Sequence, residues 1–229
     1  MAYTAAFDLG TTAVKGVLIS DDRKPVFQDS LPIETYFPGD RAEQNPHDWY
    51  RAFLGVSRGI FRGGFKPEEI RGIIMSGQMQ DFIPVDKQGE PVGNAVLYSD
   101  GRAGEEAAYL NSLLGEERIR RITGNAMDGS IPAAKLLWYR RHEAENYKKT
   151  ALVLGSPKDY IILKLCGRAV GDITAASTFG LMDIRTKRWD TAFLEALAVP
   201  PGLLPELLSC GERAGTVSAA GADQSGFAP

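Results

Sequence analysis

The sequence predicts an α/β fold, a mixed sheet that opens with an antiparallel hairpin meander and is flanked by helices. Three observations carry this. Two short apolar runs, residues 5–9 and 13–19, are separated only by Gly10-Thr11-Thr12, and a third extended run covers 25–33; strands joined by tight turns pair antiparallel. Asn45-Pro46 then opens a helix, with Asn as N-cap and Pro at the first helical position. Its Trp49, Phe53, Val56 and Ile60 fall on one apolar stripe. Further short strands alternate with helical stretches over the rest of the chain, as in layered α/β units.

Composition narrows the class. The chain has 229 residues, 44% hydrophobic and 24% charged, enough for a sizeable core. Residues 1–229 read as one α/β domain with helical insertions. A net charge of −3 and a pI near 5.5 give no general attraction to nucleic acid or to an anionic membrane. Arg118, Arg120 and Arg121 form the densest basic group, read as a solvated helix face. Cys166 and Cys210 alone make neither a disulfide framework nor a CxxC site, and His47 and His142 have no partners at ligand spacing. No signal peptide or membrane-spanning run is present, so the expected location is cytoplasmic.

In chain order, Asp21-Asp22-Arg23-Lys24 is a polar turn, and residues 36–44 form a Pro- and Gly-containing loop. Phe61-Arg62-Gly63-Gly64 ends the first helix. Gly72-Ile73-Ile74-Met75 reads as a short buried strand, interrupted by Ser76-Gly77-Gln78-Met79-Gln80, after which residues 82–85 resume an extended run. Residues 95–98 give another strand, and Ser99-Asp100-Gly101-Arg102 introduces a helix reaching to Leu114. Helical segments over 116–122 and 132–141 follow, the second with Leu136, Leu137, Trp138 and Tyr139 as a broad apolar surface. Residues 152–154 are a strand, and Ser156-Pro157 caps a helix that Gly167 stops. The small, polar stretch from Asp172 to Thr178 suits a tight turn, and Asp190 caps a last helix, broken at Pro200-Pro201-Gly202. The tail returns to small residues without a closing element.

The chemistry concentrates in Asp8-Leu9-Gly10-Thr11-Thr12-Ala13-Val14-Lys15. Gly10 allows positive φ and close approach of a ligand. The amides and hydroxyls of Thr11 and Thr12 can face an anion. Asp8, at a strand end, is placed to hold hydrated Mg²⁺, which binds nucleotide phosphates through one or two protein carboxylates. Lys15 adds a point charge. Ordinary turn chemistry is the competing reading of the same residues. The pattern is neither the helix-opening P-loop nor a dinucleotide fingerprint.

Asp-x-Gly-Thr-Thr-x-x-Lys on a hairpin resembles the first phosphate motif of the actin-like ATPase (ribonuclease H-like) fold, shared by sugar kinases and actin. Within that fold the chain resembles the FGGY carbohydrate kinases, xylulokinases most closely. The matching segments are Asp8-Leu9-Gly10-Thr11-Thr12, Glu43-Gln44-Asn45-Pro46 with Trp49, Ser76-Gly77-Gln78-Met79, Ser99-Asp100-Gly101-Arg102, Lys135-Leu136-Leu137-Trp138 and Pro157-Lys158-Asp159-Tyr160, in the family's order. The resemblance implies an ATP- and Mg²⁺-dependent kinase of two domains, with residues 1–229 as the N-terminal one and the C-terminal nucleotide domain absent from this chain. Asp8 would hold Mg²⁺ through water, and Gly10, Thr11, Thr12 and Lys15 would cradle the transferring phosphate. Gln78, Met79 and Gln80 would meet the sugar or polyol, with Asp100 and Arg102 as further substrate-side candidates. Each has a structural alternative: solvated amides for the glutamines, core filling for Met79, helix capping for Asp100, and pairing with Glu105 or Glu106 for Arg102. Asp159 and Asp172 read as structural carboxylates, and Trp49 and Trp138 as packing.

Two departures matter. Xylulokinases usually carry His where this chain has Gln80, which can donate and accept but cannot charge. The family's catalytic aspartate follows a strand entering the second half, whereas the surroundings of the late Asp223 resemble the segment before that strand. The base is therefore expected beyond Pro229, and the fragment alone is expected to be inactive. The face that meets the missing half could self-pair into a homodimer. Two other classes compete: a non-catalytic sugar-binding or scaffold domain of the same fold, and a nuclease using Asp8 with Asp86 or Asp100 around two metals.

Overall fold

Alternation decides the first hairpin. In β1 (Tyr3–Leu9) and β2 (Ala13–Ser20), Ala5, Phe7, Leu9, Val14 and Leu18 share a buried face while Asp8 and Lys15 leave it, the period of two of half-buried strands. β3 (Pro25–Pro32) completes the meander at the sheet's edge, bounded by prolines that suit an edge strand. The computed structural model describes residues 2–39, 41–200 and 202–229. Its main sheet has the order β3-β2-β1-β5, with β5 (Ile70–Gly77) parallel to β1 and the other pairs antiparallel. The expected mixed sheet is therefore present.

β5 differs from the short buried strand read from the sequence. It runs through Ser76-Gly77, because the parallel register with β1 continues to Leu9 opposite Gly77. It is also an open edge, with Ile74 62% exposed. A Cβ on Gly77 would lie 3.0 Å from the Leu9 carbonyl, so glycine is what lets the two strand ends approach.

α1 (Pro46–Arg62) follows β4 (Glu43–Gln44), with the Asn45 side chain accepting from the His47 amide. Trp49, Phe53, Val56 and Ile60 are fully buried against the sheet, each contributing about 1.5–3 kcal/mol. β6 (Ile83–Val85) and β7 (Ala95–Val96) are short buried strands, β7 pairing antiparallel with β4. α2 (Gly104–Leu114), α3 (Glu116–Thr123), α4 (Pro132–His142) and α5 (Ala144–Lys149) follow, and the first three enclose a second apolar cluster around Phe82, Phe179 and Phe193. Residue Ala103, not Asp100, stands at the N-cap of α2, and no side chain caps it.

β8 (Leu152–Leu154) pairs with β6, and α6 (Pro157–Cys166) packs on α1 and β5. Ser156 precedes α6, yet its hydroxyl donates to the Gln78 carbonyl at 2.7 Å instead of accepting from the helix. β9 (Val170–Asp172) leads into α7 (Ile173–Ser177), so the expected tight turn is a short helix capped by Asp172. β10 (Met182–Asp183) and β11 (Arg188–Trp189) form a hairpin, and Asp190 caps α8 (Thr191–Ala196) as expected. Pro201, within the break read after that helix, lies outside the described residues. β12 (Glu206–Leu208) pairs parallel with β9. The tail does close the fold: α9 (Ala219–Ser225), capped by Ser218, rests on α6 and α1, and Phe227 enters the core. Its small residues have a packing reason, since a Cβ on Gly221 would lie 2.3 Å from the Leu165 carbonyl. Among the described residues no helix is long and apolar enough to cross a membrane.

Candidate functional site

The site forms where β1 and β5 end side by side. The register sets Asp8 between Lys15 on β2 and Ser76 on β5, and the Ser76 hydroxyl donates to Asp8 Oδ1 at 2.9 Å. Asp8 Oδ2 takes no hydrogen bond among the described residues, and no cluster of three or more His, Cys, Asp or Glu offers a closed metal site. A single half-exposed carboxylate with one free oxygen fits a hydrated Mg²⁺, which keeps most of its water. Gly10 does not adopt positive φ, contrary to the expectation; its amide donates to the Ala13 carbonyl at 3.1 Å. A Cβ there would find only ordinary contacts, at 3.4 Å and beyond, so glycine's contribution is room above the turn. The Thr12 and Lys15 side chains are exposed.

The substrate-side candidates separate into groups. The Gln78 amide is occupied at both ends: Oε1 accepts from Thr11 Oγ1 at 2.8 Å, and Nε2 donates to Gln44 Oε1 at 2.9 Å. Met79 is 36% exposed at the surface of the loop. Gln80 sits at φ +67°, an uncommon conformation for a non-glycine residue, which an active loop can store. Its Nε2 donates to Ser130 Oγ at 2.9 Å, and Ser130 in turn donates to Asp128 Oδ1 at 2.6 Å.

Asp100 and Arg102 engage each other. Asp100 is fully buried, accepting from the amides of Ala42 and Arg102 and from two nitrogens of the Arg102 guanidinium. Burial alone would raise its carboxyl, but the Arg102 and Ala42 hydrogen bonds outweigh that and hold it below the usual carboxylate range. Arg102 also donates to Glu43 at 2.7 Å and stacks on Trp138, 5.0 Å from the ring centroid. Its partners are thus Asp100 and Glu43, neither of the two helix glutamates considered from the sequence.

Three features escaped sequence reasoning. Trp49 packs, as expected, and also donates from Nε1 to Gln44 Oε1 at 2.9 Å. Tyr98, 42% exposed, puts its hydroxyl 3.5 Å from Thr11 Oγ1. Behind both loops, Lys135 is buried within an apolar helix and donates to the Leu97 carbonyl at 2.6 Å and the Gln80 carbonyl at 3.4 Å. Asp81 accepts from the Tyr98 amide, leaving its Oδ2 without a partner. Burial pushes Asp81 up and Lys135 down, each partly countered by the other's charge. A lone lysine among Ala133, Ala134, Leu136 and Leu137 was the signal available in the sequence.

A groove follows the open edge of β5, lined by Ile74, Ser76 and Met79 on one side and Lys158, Asp172 and Cys210 on the other. Lys158 bridges Asp159 and Asp172 at 2.8 and 2.5 Å, and Asp172 also caps α7. Asp223 lies exposed on α9.

Comparison with known proteins sets this geometry in a lineage. The model of the N-terminal domain of the FGGY family of carbohydrate kinases matches residues 3–229. A xylulose kinase of Staphylococcus xylosus is 28% identical over 219 residues, covering 95% of this chain and 45% of that protein. A glycerol kinase of Parabacteroides distasonis is 28% identical over 218 residues, covering 92% and 44%. The crystal structure of a xylulose kinase from Rhodospirillum rubrum superposes with a TM-score of 0.92 at 26% identity, covering 99% of this chain and 47% of that one. The chain spans less than half the length of the relatives it matches.

Proposed function

Because this chain belongs to the FGGY family of carbohydrate kinases, we propose that it is the substrate-binding and phosphate-hairpin half of an ATP-dependent kinase that phosphorylates a primary hydroxyl of a pentulose or related polyol. The observation that carries the reading is Asp8, with one oxygen free, at the paired ends of β1 and β5 and beside the open Gly10–Thr12 turn. Phosphoryl transfer asks the protein for positioning and charge neutralisation more than covalent help. Asp8 would hold Mg²⁺ through water, and Mg²⁺ with ATP would supply the phosphoryl group and offset its charge. Gly10 leaves room for the phosphate, while the turn amides, the Thr12 hydroxyl and Lys15 supply donors and positive charge. Met79, Gln80 and Tyr98 face the substrate side, where Gln80 can offer a carbonyl to a sugar hydroxyl. Asp100 and Arg102 act there by bracing the loop that carries Tyr98. The general base and the adenosine pocket belong to a second domain, the partner this chain needs for turnover.

The test is a phosphorylation assay with pentuloses, glycerol and hexonates, on this chain and on a form extended to the relatives' length. The extended form should turn over one of these substrates with MgATP, and Asp8→Ala should remove most of that rate while the protein stays folded. Turnover by the short chain alone would refute the division of labour. No turnover by the long form with any polyol would favour a non-catalytic sugar-binding domain, and an Asp8→Ala long form that turns over at the wild-type rate would refute the role given to Asp8.

A further inference from the structure

Four side chains link α1 to the phosphate turn, and their chemistry allows only one direction of hydrogen bonding. The Trp49 indole N–H can only donate, so the Gln44 atom 2.9 Å from it is Oε1. The other end of Gln44 faces the Thr11 backbone carbonyl at 2.6 Å, a pure acceptor, and Thr35 Oγ1 at 2.8 Å, so it is the NH₂ group. Gln44 is fixed at both ends. Gln78 therefore meets Gln44 Oε1 with its own Nε2, which turns Gln78 Oε1 toward Thr11 Oγ1. Thr11 must be the donor there, at 2.8 Å. Trp49 and Gln44 are both fully buried, so water does not offer an alternative partner.

We infer that Trp49 and Gln44 are positioning residues: they commit the Thr11 hydroxyl proton inward, so that Thr11 Oγ1 offers the cleft only lone pairs and accepts from a substrate hydroxyl instead of binding a phosphoryl oxygen. The functional half of this inference rests on the kinase reading; the geometric half does not. A lone pair repels an anionic phosphate oxygen and accepts readily from an O–H. The phosphate contacts of the turn then fall to its backbone amides and the exposed Thr12 hydroxyl, while Thr11 joins Tyr98, whose hydroxyl is 3.5 Å away, on the substrate side. The same bonds tie the turn to the root of the substrate-side loop, so that the two are placed as one body.

The relay is tested on this chain by a double-mutant cycle. Unfolding constants are measured for wild type, Trp49→Phe, Thr11→Val and the double variant, with Thr11→Ser as a control that keeps the hydroxyl. Independent sites multiply to within about twofold, whereas members of one network depart by at least about threefold; the relay predicts the larger departure. The Trp49 indole ¹H–¹⁵N resonance should also move in Thr11→Val and stay near its wild-type position in Thr11→Ser, a readout that survives if Trp49→Phe does not fold. Independent effects, or an indole resonance indifferent to Thr11→Val, would overturn the relay. In the extended, active form, Thr11→Val should lower kcat at least tenfold with the KM for MgATP unchanged. A raised nucleotide KM with kcat preserved would assign Thr11 to phosphate and overturn the orientation. An inactive wild-type long form would count against the kinase reading alone, with the cycle still deciding the relay.

Discussion

Replacing Arg102 by Met removes a guanidinium that is 7% exposed and bound to two carboxylates, Asp100 at 0% and Glu43 at 17%. Methionine keeps much of the stem's volume over Trp138 but leaves Asp100 with only its two backbone donors. Breaking a buried pair in this way costs about 3–5 kcal/mol, because one charge stays behind without its partner. For a domain of this size each kcal/mol moves Tm by about 2–4 °C, so a loss of roughly 6–20 °C at pH 7 is expected. The pH dependence has a definite sign. In the wild type, Asp100 titrates below its ordinary value of 3.8 and adds stability above that pH, lost as pH falls through its lowered pKa. In the variant, burial without the guanidinium raises the same group, which then favours the folded state at low pH and penalises it as pH rises. The deficit should therefore narrow between pH 7 and pH 4, measured by thermal unfolding. Asp100→Leu combined with Arg102→Met should recover part of it. A loss under about 1 kcal/mol, or a deficit independent of pH, would refute the brace and return both residues to direct substrate contact.

Asp159, 2% exposed, has its carboxyl pushed up to about 6 by burial, with Lys158 acting against the rise. Its folded state holds a proton more tightly than the unfolded chain, so this contribution is full below the ordinary value of 3.8 and is lost as pH rises through about 6. The effect is at most about 3 kcal/mol, and Asp159→Asn should flatten that segment of a urea-midpoint profile; an unchanged slope would contradict it. Gly221→Ala places a methyl 2.3 Å from the Leu165 carbonyl, a backbone atom with little freedom. The expected cost is about 2 kcal/mol, together with faster amide exchange in α9 and a weakened Tyr50–Gln224 contact; wild-type exchange in α9 would show the helix to be docked by something else.

What the sequence made legible is what depends on period and local chemistry. The hairpin and the stripe of α1 were readable because alternation and the 3.6-residue repeat are written in consecutive residues. β5 was misjudged because Ile73, Ile74 and Met75 are apolar whether a strand is interior or open-edged, and its position depends on pairing with a distant segment. The tail was missed because Ala219, Gly221 and Ala222 have no amphipathic signal; they are small so that α9 can lie against α6, a tertiary reason. In the site, Gln78 and Gln80 look equivalent in sequence. Gln78 is saturated by Gln44 and Thr11, residues 34 and 67 positions away, while Gln80 keeps its side-chain Oε1 free at a strained φ. Arg102 found Glu43 across 59 positions in preference to nearby helix glutamates, which no local spacing rule anticipates.

The same long-range partners decide against a two-metal nuclease. That chemistry needs two carboxylates with free oxygens on a shared pair of cations about 3.5–4 Å apart. Asp86 follows β6, which lies in a separate two-stranded sheet with β8 and not at the paired ends of β1 and β5, and its Oδ1 is spent on the amides of Gln88 and Glu90. Asp100 is fully buried and accepts four hydrogen bonds, two of them from a guanidinium that already neutralises it. Among the described residues, Asp8 is the carboxylate of the three with a free oxygen beside the turn, and its neighbours Lys15 and Ser76 are a cation and a hydroxyl. One carboxylate next to positive charge and backbone amides is suited to a cation that arrives already bound to phosphate, and poorly suited to assembling bare metal ions on the protein.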